Sequence, residues 1–179
     1  MKVVRPSFRE GIEWRKLTDE ERRNTDGTLK PWKYILLRDV FIEVETGLKE
    51  HYDCYSDETI YMALLPHGIT MKKGYAWNGN TGAPERVRWF DFLRWLWIWI
   101  CMLLGSLPHD GLFQFSGAIG FPRSVITLSW ANSLYYALSD KRVAWIYRTG
   151  LFIGSWALWG QRHEGEYVEC RPLNQPEPT

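Results

Sequence analysis

Residues 74–84 read Gly-Tyr-Ala-Trp-Asn-Gly-Asn-Thr-Gly-Ala-Pro, and the chain changes character at this stretch. Before it, short runs of β-branched and aromatic residues alternate with turn-forming residues, which is typical of strands. After it, apolar residues recur at the i, i+3, i+4 spacing of a helix. The sequence therefore predicts an α+β fold, in which a small antiparallel β-meander over about residues 33–77 precedes a bundle of three to four helices over about residues 86–160.

Four segments of the first half are predicted to be strands, because they are apolar and are bounded by polar or turn-forming residues. They are residues 34–37, 40–44, 60–65 and 69–77. Pro66-His67-Gly68 is predicted to connect the last two strands. Residues 53–58 are polar and are predicted to form a loop.

The segments that flank the predicted domain, residues 33–160, are polar. Residues 1–32 are predicted to form an irregular arm with a turn at Asp26-Gly27. Residues 161–179 contain three prolines and are predicted to form an irregular tail.

Helices are predicted from apolar periodicity in the second half. Residues 86–104 fit a helix, but tryptophans alternate at positions 95, 97 and 99, so a strand or a kinked segment remains an alternative. Pro108 is predicted to open a helix at His109, since proline is tolerated in a first turn. Residues 123–139 have an amphipathic pattern. Asp140 is predicted to cap a last helix that ends near Gly160.

Composition limits the classes of function. A length of 179 residues suits one domain, and the net charge of +1 gives no electrostatic footprint for nucleic acid, so no such partner is expected. The three cysteines are an odd number without metal-type spacing, which favours a reducing compartment. Residues 1–13 carry charges and no apolar run, so no signal peptide is predicted.

The ten residues from Trp95 to Leu104 are all apolar and form the one candidate membrane contact. A helix that spans a bilayer needs about 20 such residues, so no transmembrane span is expected. We predict that most of this run is buried within the domain or at an oligomer interface, because an exposed apolar run would aggregate. The alternative is a segment that lies on a membrane surface.

The stretch at residues 74–84 is also a candidate cation site. It contains three glycines, two asparagines and a threonine, so its backbone can turn sharply. Such a loop can direct several oxygens at one point, as Ca²⁺ requires. Asn78 and Gly79 are the candidate ligands, with Trp77 beside them. The alternative is a plain turn that ends a strand.

Residues 107–113, Leu-Pro-His-Asp-Gly-Leu-Phe, carry the second candidate motif. Adjacent helical residues point about 100° apart, so His109 and Asp110 cannot both face the core. In a catalytic arrangement His109 faces a cleft as general base, and Asp110 turns toward the glycine-rich loop to share a cation. The alternative is a helix N-terminus where Asp110 complements the dipole and His109 fills space. Arg148 interrupts an apolar helix and needs an acidic partner, for which Asp110 is the candidate.

In this order, the motifs resemble a family of uncharacterised proteins common in phage and prophage genomes, domain of unknown function 1353. The resemblance covers about residues 33–160, with residues 86–103 as an insertion. It rests on the glycine-rich loop, on His109-Asp110 with Leu112 and Phe113, on Arg123 followed by Ala131-Asn132 and Tyr135, and on Tyr147-Arg148 in a closing aromatic helix. Asn78 and Asn132 stand where the family usually has aspartate.

The layout is more distantly similar to that of phospholipase A2, which has a calcium loop, a helix with adjacent His and Asp, and an antiparallel helix whose Asp orients the His. That resemblance implies that His109 is the base and that Asp110 and the loop hold Ca²⁺. Asn132 then takes the orienting position. An asparagine accepts a hydrogen bond but cannot stabilise an imidazolium as a carboxylate does, so the resemblance implies a weakened or degenerate site.

The resemblances thus imply a phage or prophage protein of the host cytoplasm or virion with a metal-dependent, phospholipase A2-like hydrolase site. The competing class is a non-enzymatic virion, tail or assembly component whose aromatic-rich surface is an interface. A third class is a membrane-surface module that acts through Trp95 to Leu104. The expected partners are other phage proteins or a second copy of the chain.

Overall fold

The structure is a computed structural model that describes residues 7–8, 11–30, 32–57, 59–78, 105–139, 159–160 and 168–173. Within these residues it has nine strands and three helices. The strands are β1 (Ser7–Phe8), β2 (Trp14–Lys16), β3 (Tyr34–Leu36), β4 (Val40–Glu43), β5 (Tyr52–Ser56), β6 (Thr59–Leu65), β7 (Gly68–Met71), β8 (Ala76–Trp77) and β9 (Val168–Pro172). The helices are α1 (Asp19–Arg22), α2 (residues 105–116) and α3 (Leu128–Leu138).

Six strands form one antiparallel sheet in the order β1-β4-β7-β6-β5-β9. Its register places Ile42 opposite Ile69 and Ile69 opposite Leu64, and all three side chains are fully buried. Side chains alternate between the two faces of a strand, so this row defines the core-facing side of the sheet. The strands predicted from residues 34–37, 40–44 and 60–65 are confirmed as β3, β4 and β6, and the connection at Pro66-His67 is confirmed as a turn.

A smaller antiparallel sheet has the order β2-β3-β8 and carries an aromatic cluster. Tyr34 lies opposite Trp77, with their ring centroids 5.6 Å apart, and Trp14 packs edge-on against Tyr34 at 5.3 Å. The single strand predicted over residues 69–77 is therefore wrong. The chain turns at residues 72–75, where Gly74 has φ 88°, and passes from the large sheet to the small one.

The α+β class is correct, but the predicted order of a meander followed by a helical bundle is wrong. Strands extend from β1 near the start of the described chain to β9 near its end, so the sheets include residues from both flanking segments. The predicted helix over residues 86–104, the run from Trp95 to Leu104 and the helix after Asp140 lie outside the described residues. No helix among the described residues is both long and apolar enough to cross a bilayer.

The prediction of a polar loop at residues 53–58 is wrong, because β5 pairs with β9 there. The prediction of an irregular tail is wrong for residues 168–172, which form β9. The polar side chains at 53 and 55 alternate with Cys54 and Ser56, which are buried, so β5 has one polar face and one core face. Pro172 ends β9 at the edge of the sheet, where a missing backbone donor costs little. Cys54 and Cys170 face each other and form a disulfide, which an odd cysteine count does not predict.

The amphipathic helix predicted over residues 123–139 is confirmed as α3, which Thr127 caps by accepting a hydrogen bond from the Trp130 backbone N–H. The prediction that Pro108 opens its helix is wrong, since residues 105–107 are already helical. Two glycines let α2 pack closely on its surroundings. A β-carbon at Gly105 would lie 2.9 Å from the Tyr135 carbonyl oxygen of α3, and one at Gly111 would lie 2.7 Å from Met71 Cε of the sheet.

Within the predicted arm, a capping box stabilises the short helix α1. Thr18 accepts a hydrogen bond from the Glu21 backbone N–H, and the Glu21 carboxylate accepts one from the Thr18 backbone N–H. Arg15 of β2 makes two hydrogen bonds to the same carboxylate, at 2.5 and 2.8 Å. These contacts fix α1 to the small sheet, and the turn predicted at Asp26-Gly27 is confirmed, with φ 84° at Gly27.

The close contact between α2 and α3 can be tested by adding one methyl group. We predict that Gly105→Ala lowers the free energy of unfolding by about 1–3 kcal/mol, because the new β-carbon would clash with Ser139 Oγ and with the Tyr135 carbonyl oxygen, and the backbone oxygen cannot rotate away. Urea denaturation measures the change. Gly11→Ala is the control, since its new β-carbon would meet only the Arg38 side chain at an ordinary 3.7 Å. An unchanged midpoint for Gly105→Ala would contradict the helix packing.

Acid titration tests the contacts around α1. The hydrogen bonds from Arg15 and from the Thr18 backbone lower the pKa of Glu21 to about 2. A lowered pKa stabilises the folded state above the pKa of the unfolded chain, and this contribution disappears as the pH falls through about 2. We predict that Arg15→Gln raises the pKa of Glu21 toward its ordinary value of 4.5, as followed by carboxyl NMR. Lys16→Gln, which removes the neighbouring exposed cation, should leave that pKa unchanged.

Candidate functional site

His109 lies on α2 and is joined to α3 by a side-chain hydrogen bond. Its Nε2 atom is 3.1 Å from Oδ1 of Asn132. Gly105 approaches Tyr135 and Ser139, whereas His109 approaches Asn132 one turn earlier in α3, so the two helices run antiparallel. The resemblance to phospholipase A2 implied this partner and this helix direction. Because an amide oxygen only accepts, Nε2 is the donor in this contact, and in the neutral ring Nδ1 is then the acceptor.

Aromatic rings pack on both helices around His109. The centroid of the Phe113 ring is 4.4 Å from that of His109, and the Tyr135 centroid is 5.1 Å away. Trp159 packs edge-on against Phe113 at 5.0 Å. His109 is consequently only 7% exposed, so the expectation that its ring opens to a cleft is not met.

Asp110 lies beside His109 but in a different environment. Its Oδ1 atom is 3.7 Å from His109 Nδ1, a distance that suits electrostatic attraction to an imidazolium and is too long for a hydrogen bond. The Asp110 side chain is 23% exposed, against 8% for the His109 side chain. The two side chains therefore differ in burial, in keeping with the prediction that they cannot both face the core, but it is His109 that lies in the core.

Two polar residues that sequence reasoning missed share the side of α2 on which Asp110 lies. Ser106 precedes Asp110 by four positions and Gln114 follows it by four, so the three residues form one stripe along the helix. Ser106 is 2% exposed. Gln114 Oε1 is buried and has no hydrogen-bond partner among the described residues. The sequence signal that could have identified these two residues is the i, i+4 spacing of polar residues in an otherwise apolar helix.

The candidate metal ligands in the glycine-rich loop are only partly described. Asn78 follows β8, and its Oδ1 atom is buried without a hydrogen-bond partner in the described part of the chain. Such an oxygen fits a cation ligand. Gly79 lies outside the described residues. Trp77 is 1% exposed and packs between Tyr34 and Tyr75, so it is a core residue of the small sheet.

The described residues do not by themselves form a complete metal centre. Across the described ranges, no group of three or more His, Cys, Asp or Glu side chains is placed to hold an ion. Asn78 Oδ1 and the Asp110 carboxylate are the predicted ligand oxygens that lie within the described chain. Their assignment to one site remains a prediction.

Arg123 supports the site from the end of α2. Its Nε atom donates a hydrogen bond to the Ser116 carbonyl at 2.6 Å, and helix ends are stabilised when a cationic side chain binds a terminal carbonyl. Ser116 Oγ also accepts a hydrogen bond from the backbone N–H of Gly160 at 2.8 Å. Arg123 thus fixes the end of the helix that carries His109. Arg148, with its predicted pairing to Asp110, lies outside the described residues.

Comparison of the chain with family models, curated proteins and solved structures gives no match. The resemblances to the phage family and to phospholipase A2 therefore remain predictions. The functional argument depends on the geometry around His109.

A double-mutant cycle can test the contact between His109 and Asn132. We predict that His109→Phe and Asn132→Leu each destabilise the protein and that the pair shows a coupling energy of about 1–2 kcal/mol, because each single change leaves the other buried polar group unpaired. Chemical denaturation of the four proteins gives this value.

Ser133→Ala provides the matched control for that cycle. Ser133 Oγ donates to the Ser129 carbonyl within α3, so this variant should not couple to His109→Phe. A coupling energy near zero for His109 and Asn132 would mean that the hydrogen bond does not form in solution.

Proposed function

We propose that the protein is a phage or prophage hydrolase of the phospholipase A2-like type, in which His109 is the general base. The observation that carries this proposal is the hydrogen bond from His109 Nε2 to Asn132 Oδ1. It fixes the tautomer in which Nδ1 can accept a proton, and the side of the ring that carries Nδ1 lies next to the more exposed Asp110.

In the proposed reaction Nδ1 of His109 takes a proton from a water molecule, which then attacks an ester carbonyl. Asn132 holds the ring by its other nitrogen throughout this step. Asp110, whose Oδ1 is 3.7 Å from Nδ1, attracts the imidazolium that forms. A neutral amide at position 132 supplies no negative charge to the buried ring. The proposed enzyme is therefore slow compared with one that has a carboxylate there.

Calcium is the proposed cofactor, with Asn78 Oδ1 and the Asp110 carboxylate as its ligands from the described residues. When bound, Ca²⁺ would supply Lewis-acid polarisation of the ester carbonyl. A buried oxygen without a hydrogen-bond partner supports the assignment of Asn78. Asp110 supports it by its charge and its partial exposure.

A second candidate function is a non-enzymatic virion or assembly component. The burial of His109 between Phe113 and Tyr135 favours it, because a ring that is 7% exposed serves well as a connection between two helices. In this case the contact between His109 and Asn132 stabilises the pair of helices, and the protein acts through its surface.

Hydrolysis assays distinguish the two functions. With phospholipid and simple ester substrates in the presence of calcium, we predict that His109→Ala lowers the rate about 100-fold or more, as expected for loss of a general base. Asn132→Asp should raise the rate, because a carboxylate stabilises the imidazolium. Chelation of calcium should lower it.

His67→Ala is the control for these assays, since His67 lies in the turn between β6 and β7 and its side chain is 79% exposed. Circular dichroism and denaturation curves establish that each variant is folded. Equal, background-level turnover in the wild type, His109→Ala and Asn132→Asp would refute the hydrolase and leave the assembly component.

A further inference from the structure

The disulfide between Cys54 and Cys170 joins the middle of one strand to the middle of its neighbour. The two residues lie directly opposite each other in β5 and β9, with their Cα atoms 4.1 Å apart. They are separated by 116 positions in the chain. Cys54 is fully buried and Cys170 is 2% exposed, so both sulfur atoms lie in the core.

Among the described strands, β9 lies at the edge of the large sheet, and it also contacts the segment that follows α2. The Cys170 backbone N–H donates to the Ile119 carbonyl at 2.8 Å, and Gly120 packs directly against the Cys170 carbonyl. Residues 117–121 follow α2, so β9 holds the segment that leaves the helix of His109. The Leu173 backbone N–H donates to the His51 carbonyl at 2.9 Å and fixes the end of β9.

Edge strands belong to the least stable parts of a fold, because only one neighbour pairs with them along their length. Here the covalent bond is placed at the centre of five paired positions, from Tyr52 opposite Pro172 to Ser56 opposite Val168. As long as the bond is intact, neither half of β9 can move far from β5. Once it is broken, β9 is held by hydrogen bonds and packing alone.

We propose that Cys54–Cys170 is a redox lock, by which we mean a disulfide whose oxidation state decides whether β9 and residues 117–121 stay docked. The lock is open in a thiol-rich compartment and closes in an oxidising one. This proposal goes beyond the hydrolase proposed above and does not depend on it.

Thiol–disulfide exchange with a small thiol opens the lock. A thiolate attacks one protein sulfur, the S–S bond breaks, and a mixed disulfide forms while the other protein sulfur leaves as a thiolate and is then protonated. A second thiol releases the mixed disulfide. Two electrons pass to the protein sulfurs, and the two external thiols become one external disulfide. Because both sulfurs are buried, attack requires β9 to open first, so the closed lock also slows its own reduction.

Thiol counting is the first part of the test. The protein has three cysteines, so the oxidised, denatured chain should show one free thiol and the dithiothreitol-treated chain three. Cys101→Ser removes the remaining cysteine and should show no free thiol when oxidised and two when reduced. Three free thiols in the air-oxidised wild type would overturn the proposal.

Hydrogen exchange, read by mass spectrometry, is the second part. We expect amides of residues 168–173 and 117–121 to exchange on the order of tenfold faster in the reduced than in the oxidised Cys101→Ser protein. Amides of β4 and β7 should not change. Equal exchange at residues 168–173 in the two states would overturn the lock.

The Cys54→Ala/Cys170→Ala double variant should behave like the reduced protein in the presence and absence of dithiothreitol. If that variant does not fold, the comparison of oxidised with reduced Cys101→Ser still decides. These readouts involve no substrate, so failure of the lock and failure of the hydrolase are separate results.

Discussion

The position of α2 depends on the absence of a side chain at residue 111. A β-carbon there would lie 2.7 Å from Met71 Cε and 3.5 Å from Met62 Sδ, so a glycine lets the helix rest directly on the large sheet. The residues before it, His109 and Asp110, are placed by this contact at a fixed height above the sheet. At the other end Gly105 lets α3 approach closely enough for Asn132 to reach His109. The candidate site therefore depends on close backbone approach at Gly105 and Gly111.

Local sequence patterns predicted the parts of the fold that local forces determine. The period of α3 was readable because its buried positions recur at helical spacing, and β3, β4 and β6 were readable as bounded apolar runs. The pairing of β5 with β9 was not readable. A strand in which polar and apolar residues are mixed cannot be distinguished from a loop by composition until its partner is known. That partner could not be found from local patterns, because residues 54 and 170 are far apart in the chain.

The hydrogen-bond partner of His109 was predicted, whereas the burial of its ring was not. The partnership of His109 with Asn132 was implied by the resemblance to phospholipase A2, in which an antiparallel helix carries the residue that orients the His, and the structure contains this contact. The burial of the ring could not be predicted, because Phe113 and Tyr135 enclose it only once both helices have packed. The stripe of Ser106, Asp110 and Gln114 was visible as a spacing, but its burial depends on tertiary contacts.

The strand order of the large sheet has a consequence for synthesis on the ribosome. Strand β5 is made 116 residues before its outer neighbour β9, which corresponds to roughly 6–23 s of translation at typical rates of about 5–20 residues per second. During that interval the outer edge of β5 has no partner, and such an edge is open to pairing with other chains. The strand has two features that oppose such pairing. Its register with β6 shifts between Cys54 and Tyr55, and Asp53 places a charge near the middle of the exposed edge. These two features therefore protect the unpaired edge of β5 in the nascent chain until β9 has been synthesised.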